Sequence, residues 1–343
     1  MTEPLTASGL AVAAVPGQPA TLPVTDVTGA ASVRGWLAEH REPLRAELLR
    51  HGHLLIRGLE VRSPEEFATV RDVLIDRPAP HSREETTSRS AYGDGVFSAT
   101  DLPPEQTIRL HHEDSYSVTF PGLLIFSCLV AAETGGATTI GDARSVRDLL
   151  PADLVAEFRS RGWLMVRNYT EHVGLSWQRT FDTDDPAMVE RYCAPREIGW
   201  EWRPGGQLRT TALRAATIRH PRSGEEIWCN HVAVFNEWTH DADVREILVE
   251  AYGPDGLPHN TYYGDGGAIE PSVVAALNKA YDEATVPVRW QPGDLLLVDN
   301  VLCGHGREPY RGSREVLVAM GDPIDVRDCA PSGPIGPAPR EES

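Results

Sequence analysis

Thr107-Ile-Arg-Leu-His-His-Glu-Asp-Ser-Tyr116 is the stretch on which the reading of this chain turns. Its alternating pattern reads as a strand, on which residues two apart project from the same face. His111 and Glu113 then point together. His112 and Asp114 have the same spacing on the opposite face, and only one face looks into a cavity. Glu113 shares its side with Ser115, which favours the His111–Glu113 register. The pattern alone leaves the other register open, and a His-x-Glu pair on a solvated strand is a weak signal by itself. Far along the chain, Asn300-Val-Leu-Cys-Gly-His305 offers a third donor. Two histidines and one carboxylate on one side of a metal, with the remaining positions open, form the donor set of a non-haem Fe(II) oxygenase.

Working outward, 343 residues with 41% hydrophobic content suffice for a sizeable core, and large β-folds often run to this length as one unit. The net charge of −18, with no basic cluster to offset it, excludes a nucleic-acid backbone and an anionic membrane surface as expected partners. Cys128, Cys193, Cys229, Cys303 and Cys329 are odd in number and widely spaced. Without a CxxC pair they suggest neither a zinc ribbon nor a redox pair. No signal peptide or long apolar run is visible, so the expectation is a cytoplasmic chain with reduced cysteines.

Residues 1–25 read as a loose N-terminal arm, 26–328 as a single catalytic domain, and the Pro-rich stretch 329–343 as a tail. Val33, Trp36, Leu37, Leu44, Leu48 and Leu49 give Ser32–Arg50 helical spacing, and Gly52 stops it. Ser63 and Glu66 bracket a capping box. Gly122-Leu-Leu-Ile-Phe-Ser-Cys-Leu-Val130 is a nearly continuous apolar run, as expected of a buried strand. Asp185 and Pro186 open a short helix, while Val244–Tyr252 and Ser272–Asp282 are amphipathic. Strands are expected at His53–Arg57, Ala137–Ile140, Ile198–Trp202, Leu208–Leu213, Ile227–Cys229, Val286–Gln291, Asp294–Val298 and Arg314–Met320. Many short strands with few helices make a mostly β fold, a barrel or sandwich with helical additions. The polar stretch Arg83–Ser98, just before the ligand-bearing strand, has the length and position of a lid.

An oxygenase of this kind needs a cosubstrate to supply electrons. An anionic keto acid needs a cation at its far carboxylate, which arginine provides with a two-pronged fork. Arg314 opens a strand shortly after His305; Arg307 and Arg311 are the next candidates.

Several stretches together carry a family resemblance. They are Ile108–Tyr116, Gly135-Gly-Ala-Thr-Thr-Ile-Gly-Asp142, Gly174-Leu-Ser-Trp-Gln178, Gly224-Glu-Glu-Ile-Trp-Cys-Asn230, Tyr263-Gly-Asp-Gly266, Trp290-Gln-Pro-Gly-Asp294, Asp299–Arg307, and Gly312-Ser-Arg314 running into Val318-Ala-Met320. Over about residues 30 to 323 the chain resembles the TauD/TfdA-type superfamily of Fe(II)/2-oxoglutarate-dependent oxygenases, in particular its SyrP-like branch. The resemblance implies a double-stranded β-helix (jelly-roll) core and settles the register on His111, Glu113 and His305 as iron ligands. It also implies that Thr138 and Arg314 hold the distal carboxylate of 2-oxoglutarate. Two positions depart from the branch: His112 stands where asparagine is frequent, and Glu315 where a second arginine is frequent. The presence of Glu113 separates the chain from related halogenases, in which a small residue replaces the carboxylate.

What the resemblance implies for chemistry is oxidative decarboxylation of 2-oxoglutarate with O2, coupled to hydroxylation of a C–H bond held near the iron. The implied substrate is amino-acid-like, either free or tethered to a carrier protein, in a secondary-metabolite or antibiotic biosynthetic pathway. Tyr116, Asn168, Trp177, Arg209 and Asn230 are the candidate pocket residues, with Arg167, Arg203 and Arg214 as further cations whose direction the sequence does not give. The alternatives are a desaturase or cyclase using the same oxidant, a non-catalytic cupin-like binding protein, and a zinc hydrolase. The Glu113, Thr138 and Arg314 set argues against the last two.

Overall fold

Apolar runs without alternation need cover on both faces, and the fold supplies it. The computed structural model describes residues 9–79, 89–93, 95–170 and 174–338. Its largest sheet has seven strands, in the order Thr21–Pro23, His53–Arg57, Leu295–Asp299, Thr119–Val130, Glu315–Asp325, Val96–Ser98 and Ala91–Gly93. A four-stranded sheet, Thr285–Val288, Thr138–Asp142, Cys303–Arg307 and Ile108–His111, packs against it. Side chains sort by the period of two. Leu55, Leu124, Phe126, Leu296, Val298, Val316 and Val318 turn inward to meet Ile140, Val288 and Cys303 of the smaller sheet. Their sequence neighbours Leu54, Ile56, Ile125, Leu297 and Leu317 turn outward under Leu37, Leu44 and Phe67. The last three residues lie on helices Ala30–His51 and Pro64–Leu74. Each such side chain, fully buried, contributes about 1.5–3 kcal/mol, so both layers hold the large sheet in place. This double cover accounts for the nearly continuous apolar run Gly122–Val130, and the architecture is the jelly roll with helical additions expected from the sequence.

A second four-stranded sheet joins Gly199–Arg203, Gln207–Arg214, Trp163–Tyr169 and His259–Tyr263. Arg214 is buried within it and donates to the carbonyls of Tyr116 (2.7 Å), Leu213 (2.9 Å), Arg196 (3.1 Å) and Glu197 (3.2 Å). Of the arginines whose direction was open, this one is spent on backbone carbonyls, and it ties this sheet to the segment after Glu113.

Four sequence expectations are corrected in detail. The ligand-bearing strand ends at His111, and Glu113 lies in the turn that follows. Ser63 caps its helix by accepting the Glu66 amide at 3.2 Å, but the Glu66 carboxylate reaches back to the amide of Arg62, not Ser63. The stretch read as an arm is docked near its end: Thr21–Pro23 pairs with Leu55–Arg57, and Ala20 and Leu22 are buried. The stretch read as a tail is docked as well, because Leu213 and Gly336 exchange both backbone hydrogen bonds and Cys329 is buried. Within Arg83–Ser98, residues 83–88 and 94 lie outside the described residues. The rest of that stretch is a short hairpin on the edge of the large sheet. All five cysteines are buried, and among the described residues none forms a disulfide. Among the described residues no helix is long and apolar enough to cross a membrane.

Candidate active site

The central strand of the smaller sheet places the site. Cys303–Arg307 pairs on one side with Thr138–Asp142 and on the other with Ile108–His111, so that His305 stands opposite His111. Close strand approach requires Gly306, where an added Cβ would lie 2.4 Å from the Ile108 carbonyl oxygen. The two imidazole rings are 4.4 Å apart between centroids. Glu113 Oε2 completes the set, 3.4 Å from His305 Nε2 and 3.8 Å from His111 Nε2. Among the described residues, His111, Glu113 and His305 bring their donor atoms within 4.8 Å of one another, a geometry able to hold a metal ion.

Asn300, whose role the sequence reading did not see, builds the turn that carries Glu113. Its Oδ1 accepts the Glu113 amide at 2.8 Å, and its Nδ2 donates to the Glu113 carbonyl at 2.9 Å. Its own carbonyl accepts from His112 Nδ1 at 2.7 Å. His112 is thereby turned into the core, 1% exposed, and takes no part in the donor set. Asp114 follows in the turn with φ of 53°, a left-handed conformation that aspartate tolerates better than most residues. Ser115 does not join Glu113 in the donor set; its hydroxyl is 2.8 Å from His231 Nδ1.

The donor chemistry fits a divalent cation. His111 Nδ1 donates to the Arg109 carbonyl at 2.9 Å, which leaves Nε2 as the lone-pair nitrogen. Burial, reinforced by the neighbouring His111, pushes His305 down to about 4, so it is neutral at physiological pH. Burial alone would raise the Glu113 carboxyl, but the Arg89 guanidinium and the facing imidazoles outweigh it and hold the group well below the usual carboxylate range. His305 Nδ1 is buried and has no hydrogen-bond partner among the described residues.

The cavity beside this set has a volume of about 330 Å³ and reaches from the triad to Thr138, Arg307 and Arg314. Arg314 Nε donates to the Gly136 carbonyl at 2.9 Å, and its Nη2 to Thr138 Oγ1 at 3.2 Å. Trp290 Nε1 donates to the same hydroxyl oxygen at 3.0 Å. Gly136 has φ of 72°, and an added Cβ would lie 2.9 Å from Ala132 Cβ, 3.0 Å from Tyr310 Cβ and 3.2 Å from Arg314 Cδ, so a glycine here lets the Arg314 stem pack close to the turn. Burial, then the nearby Arg307, push Arg314 down to about 10. It remains a cation at neutral pH, and two guanidinium groups side by side favour an anion between or beside them. Arg307 itself holds the loop before the ligand strand through the carbonyls of Leu102, Pro103 and Gln106.

The expected pocket residues divide. Tyr116 lines the metal cavity, and its hydroxyl donates to Asp114 at 2.8 Å. Asn168 and Trp177 line a different cavity, where Asn168 Nδ2 donates to the carbonyls of Asp255 and Leu257 and Trp177 Nε1 to that of Gly206. Asn230 is fully buried and satisfied by backbone, through Ala216 and Val232. Arg209 pairs across the second four-stranded sheet with Glu201 and Asn168. Neither it nor Arg167, Arg203 or Arg214 is among the described residues that line the metal cavity. Arg89, Arg109, His231 and Phe235 are, and the sequence reading did not select them.

Two buried histidines near this site make stability depend on pH. Burial pushes His53, which accepts the Ala20 amide at 3.1 Å, down to about 4, and it does the same to His112. Both ordinarily titrate at 6.5, so below that pH the unfolded chain binds more protons than the folded one. The stability they contribute is complete above 6.5 and is lost as pH falls towards 4. With both groups contributing, the slope reaches about 2.7 kcal/mol per pH unit. Denaturant midpoints are expected to fall steeply on going from about pH 7 to about pH 5. Midpoints that stay level across that interval would show that these rings are not buried neutral.

Comparison with known proteins gives the family and the fold. The family described as "Taurine catabolism dioxygenase TauD, TfdA family" matches residues 20–320. The dapdiamide synthesis protein DdaC of Enterobacter agglomerans is 36% identical over 310 residues, covering 90% of this chain and 93% of that protein. A clavaminate synthase-like protein of Arabidopsis thaliana is 28% identical over 281 residues, covering 78% and 81%. Among solved structures, PvcB, described as an Fe, alpha-ketoglutarate dependent oxygenase from an isonitrile synthetic pathway, superposes with a TM-score of 0.51 at 15% identity, covering 94% and 93%. An asparagine oxygenase in complex with Fe(II), 2S,3S-3-hydroxyasparagine and succinate does so with a TM-score of 0.52 at 14% identity, covering 87% and 86%. At these identities the structural likeness speaks for the fold.

Proposed function

The chain belongs to the TauD, TfdA dioxygenase family, and from that premise we propose that it is an Fe(II)/2-oxoglutarate-dependent oxygenase that hydroxylates a C–H bond of an amino acid or amino-acid-derived molecule. The observation that carries the reading is the placement, around one cavity, of the His111–Glu113–His305 set and the Arg314–Thr138 pair. His111, Glu113 and His305 would hold the iron, and Arg314 and Thr138 the far carboxylate of 2-oxoglutarate. With iron and keto acid held there, electrons from the keto acid would let O2 serve as the oxidant for attack on an unactivated C–H bond.

The chain's own residues bind and orient. Asn300 fixes the Glu113 turn, and the His111 Nδ1 bond to Arg109 aims Nε2 at the metal. Trp290 orients the Thr138 hydroxyl by donating to it, so that the hydroxyl's own proton is free to meet a carboxylate. Tyr116, Phe235 and His231 form an aromatic wall, with His231 stacked on Phe235 at 4.9 Å. Arg109 and Asp114 bring opposite charges to the same cavity, which suits a substrate carrying both a carboxylate and an ammonium group. The dapdiamide synthesis protein, named for an amino-acid-derived product, supports the same substrate class. Tethering to a carrier protein stays within the proposal as a second form of that substrate.

Anaerobic addition of Fe(II) and then 2-oxoglutarate to the metal-free protein is expected to give a weak visible charge-transfer band. Protein that binds Fe(II) yet gives no band would sink the oxygenase reading. Turnover with candidate amino acids, free and as carrier-bound thioesters, is expected by mass spectrometry to show gain of one oxygen. Loss of two hydrogens instead would assign the desaturase or cyclase alternative.

A further inference from the structure

We propose that Arg89 is a positioning residue that closes the chelating edge of the Glu113 carboxylate, so that a metal ion in the triad bonds Oε2 alone. This rests on the iron-binding role proposed above for His111, Glu113 and His305.

The argument begins with two equal distances. Arg89 Nη2 lies 2.9 Å from Glu113 Oε1 and 2.9 Å from Oε2. A single nitrogen equidistant from both oxygens sits in the notch between them, where a chelated cation would otherwise sit. Oε2 keeps its other side towards the imidazoles, 3.4 Å from His305 Nε2 and 3.8 Å from His111 Nε2. The carboxylate therefore offers the metal one oxygen on the histidine side, while a guanidinium occupies the two-oxygen side.

Arg89 is held there by structure independent of the triad. Its Nη1 donates to the Ala99 carbonyl. The Ser90 amide donates to Ser98 Oγ at 2.9 Å, and both serine hydroxyls donate to Asp101, at 3.0 and 2.6 Å. Ser98 pairs with Leu317 of the large sheet. The Arg89 and Glu113 side chains are only 11% and 13% exposed, so water does not dissolve the pair.

Coordination arithmetic gives this contact its purpose. An octahedral ion has six positions. Two histidines and a chelating carboxylate would fill four, and a bidentate keto acid the other two, with none left for O2. A carboxylate confined to one oxygen leaves three. The guanidinium also competes with the metal for carboxylate charge, so its loss should not weaken metal binding.

The test uses the full chain with Arg89→Gln and the milder Arg89→Lys. Fe(II) affinity is measured on metal-free protein, and the charge-transfer band is formed with 2-oxoglutarate under anaerobic conditions and its decay followed after O2 is admitted. Arg89→Gln is expected to bind Fe(II) at least as tightly as the wild type, to form the band with 2-oxoglutarate, and to lose it at least about tenfold more slowly once O2 is present. Arg89→Lys, which keeps a cation of shorter reach, is expected to recover part of that rate. Wild-type decay of the band under O2 in Arg89→Gln would overturn the proposal, as would loss of Fe(II) binding in both variants, which would make Arg89 a mere support of the site. Should the wild type itself give no band, the iron-binding reading fails first, and the two failures are told apart by that control.

Discussion

Alanine at His111, Glu113 or His305 is expected to reduce turnover to background, with a stability cost that differs among the three. His111 makes one hydrogen bond outside the donor set, to the Arg109 carbonyl, and a single neutral bond is worth about 1 kcal/mol. His305→Ala opens a small cavity beside Phe126, whose ring centroid is 5.3 Å away. Glu113→Ala is the costly one, because it strands the Arg89 guanidinium. Removing one partner of a buried pair costs about 3–5 kcal/mol. Glu113→Gln is the better probe, since it keeps the shape and an acceptor oxygen. Metal titration of each variant by calorimetry, beside a melting curve, separates lost ligation from lost fold. His112→Ala supplies the contrast: it should lower the melting temperature through the Asn300 bond and keep metal affinity within an order of magnitude. Full metal affinity in His111→Ala together with its loss in His112→Ala would put the donor set on the other face.

The donor set could be read from sequence for a partly accidental reason. Alternation along a strand aligned His111 with Glu113, yet the strand stops at His111. The alignment survives because Asn300 folds the next two residues into a turn that presents Glu113 and buries His112. That brace spans 187 residues of chain, so local spacing could not reveal it. Elements with strong punctuation were equally legible. Ser63-Pro64 does open a helix, Asp185-Pro186 does too, and the apolar runs at Gly122–Val130 and Leu295–Val298 are strands covered on both faces. Trp163–Tyr169, central to the second four-stranded sheet, was not anticipated. Its apolar start follows a helix across the single residue Gly162, and so short a run does not distinguish a strand from continued helix.

Of the five expected pocket residues, only Tyr116 lines the cavity beside the triad. Whether a strand residue faces a cavity depends on what covers that face, and periodicity carries no such information. Asn168 and Arg209 are cross-strand partners in a sheet that fronts another cavity, and Asn230 is consumed by backbone. Arg89 sits in a polar stretch without period, and its contact with Glu113 belongs to no motif. Trp290 did carry a signal, an aromatic N–H just before the Gln-Pro-Gly-Asp294 turn, but its partner Thr138 lies 152 residues away.

Arg314→Ala is expected to raise the Michaelis constant for 2-oxoglutarate far more than that for the substrate. The guanidinium is mostly shielded from water, and burial together with Arg307 pushes it down to about 10, still charged at neutral pH. Truncating one member of a desolvated charge pair costs about 2–5 kcal/mol. At about 1.4 kcal/mol per factor of ten, that is a rise of roughly thirty-fold to several-thousand-fold. Thr138→Val should do less, near the ~1 kcal/mol of one neutral hydrogen bond, while also leaving Trp290 Nε1 without its acceptor. Arg314→Lys keeps the charge but cannot reach both the Gly136 carbonyl and the Thr138 hydroxyl with the same fork, so it should fall between the two. Arg307 is the competing cation, and the structure separates its role. Its guanidinium donates to the carbonyls of Leu102, Pro103 and Gln106, so Arg307→Ala should loosen that loop and lower the melting temperature. Steady-state kinetics varying 2-oxoglutarate at saturating substrate, run on all four variants, decides the matter. An unchanged 2-oxoglutarate constant in Arg314→Ala, with a large rise in a folded Arg307→Ala, would move the carboxylate site to Arg307.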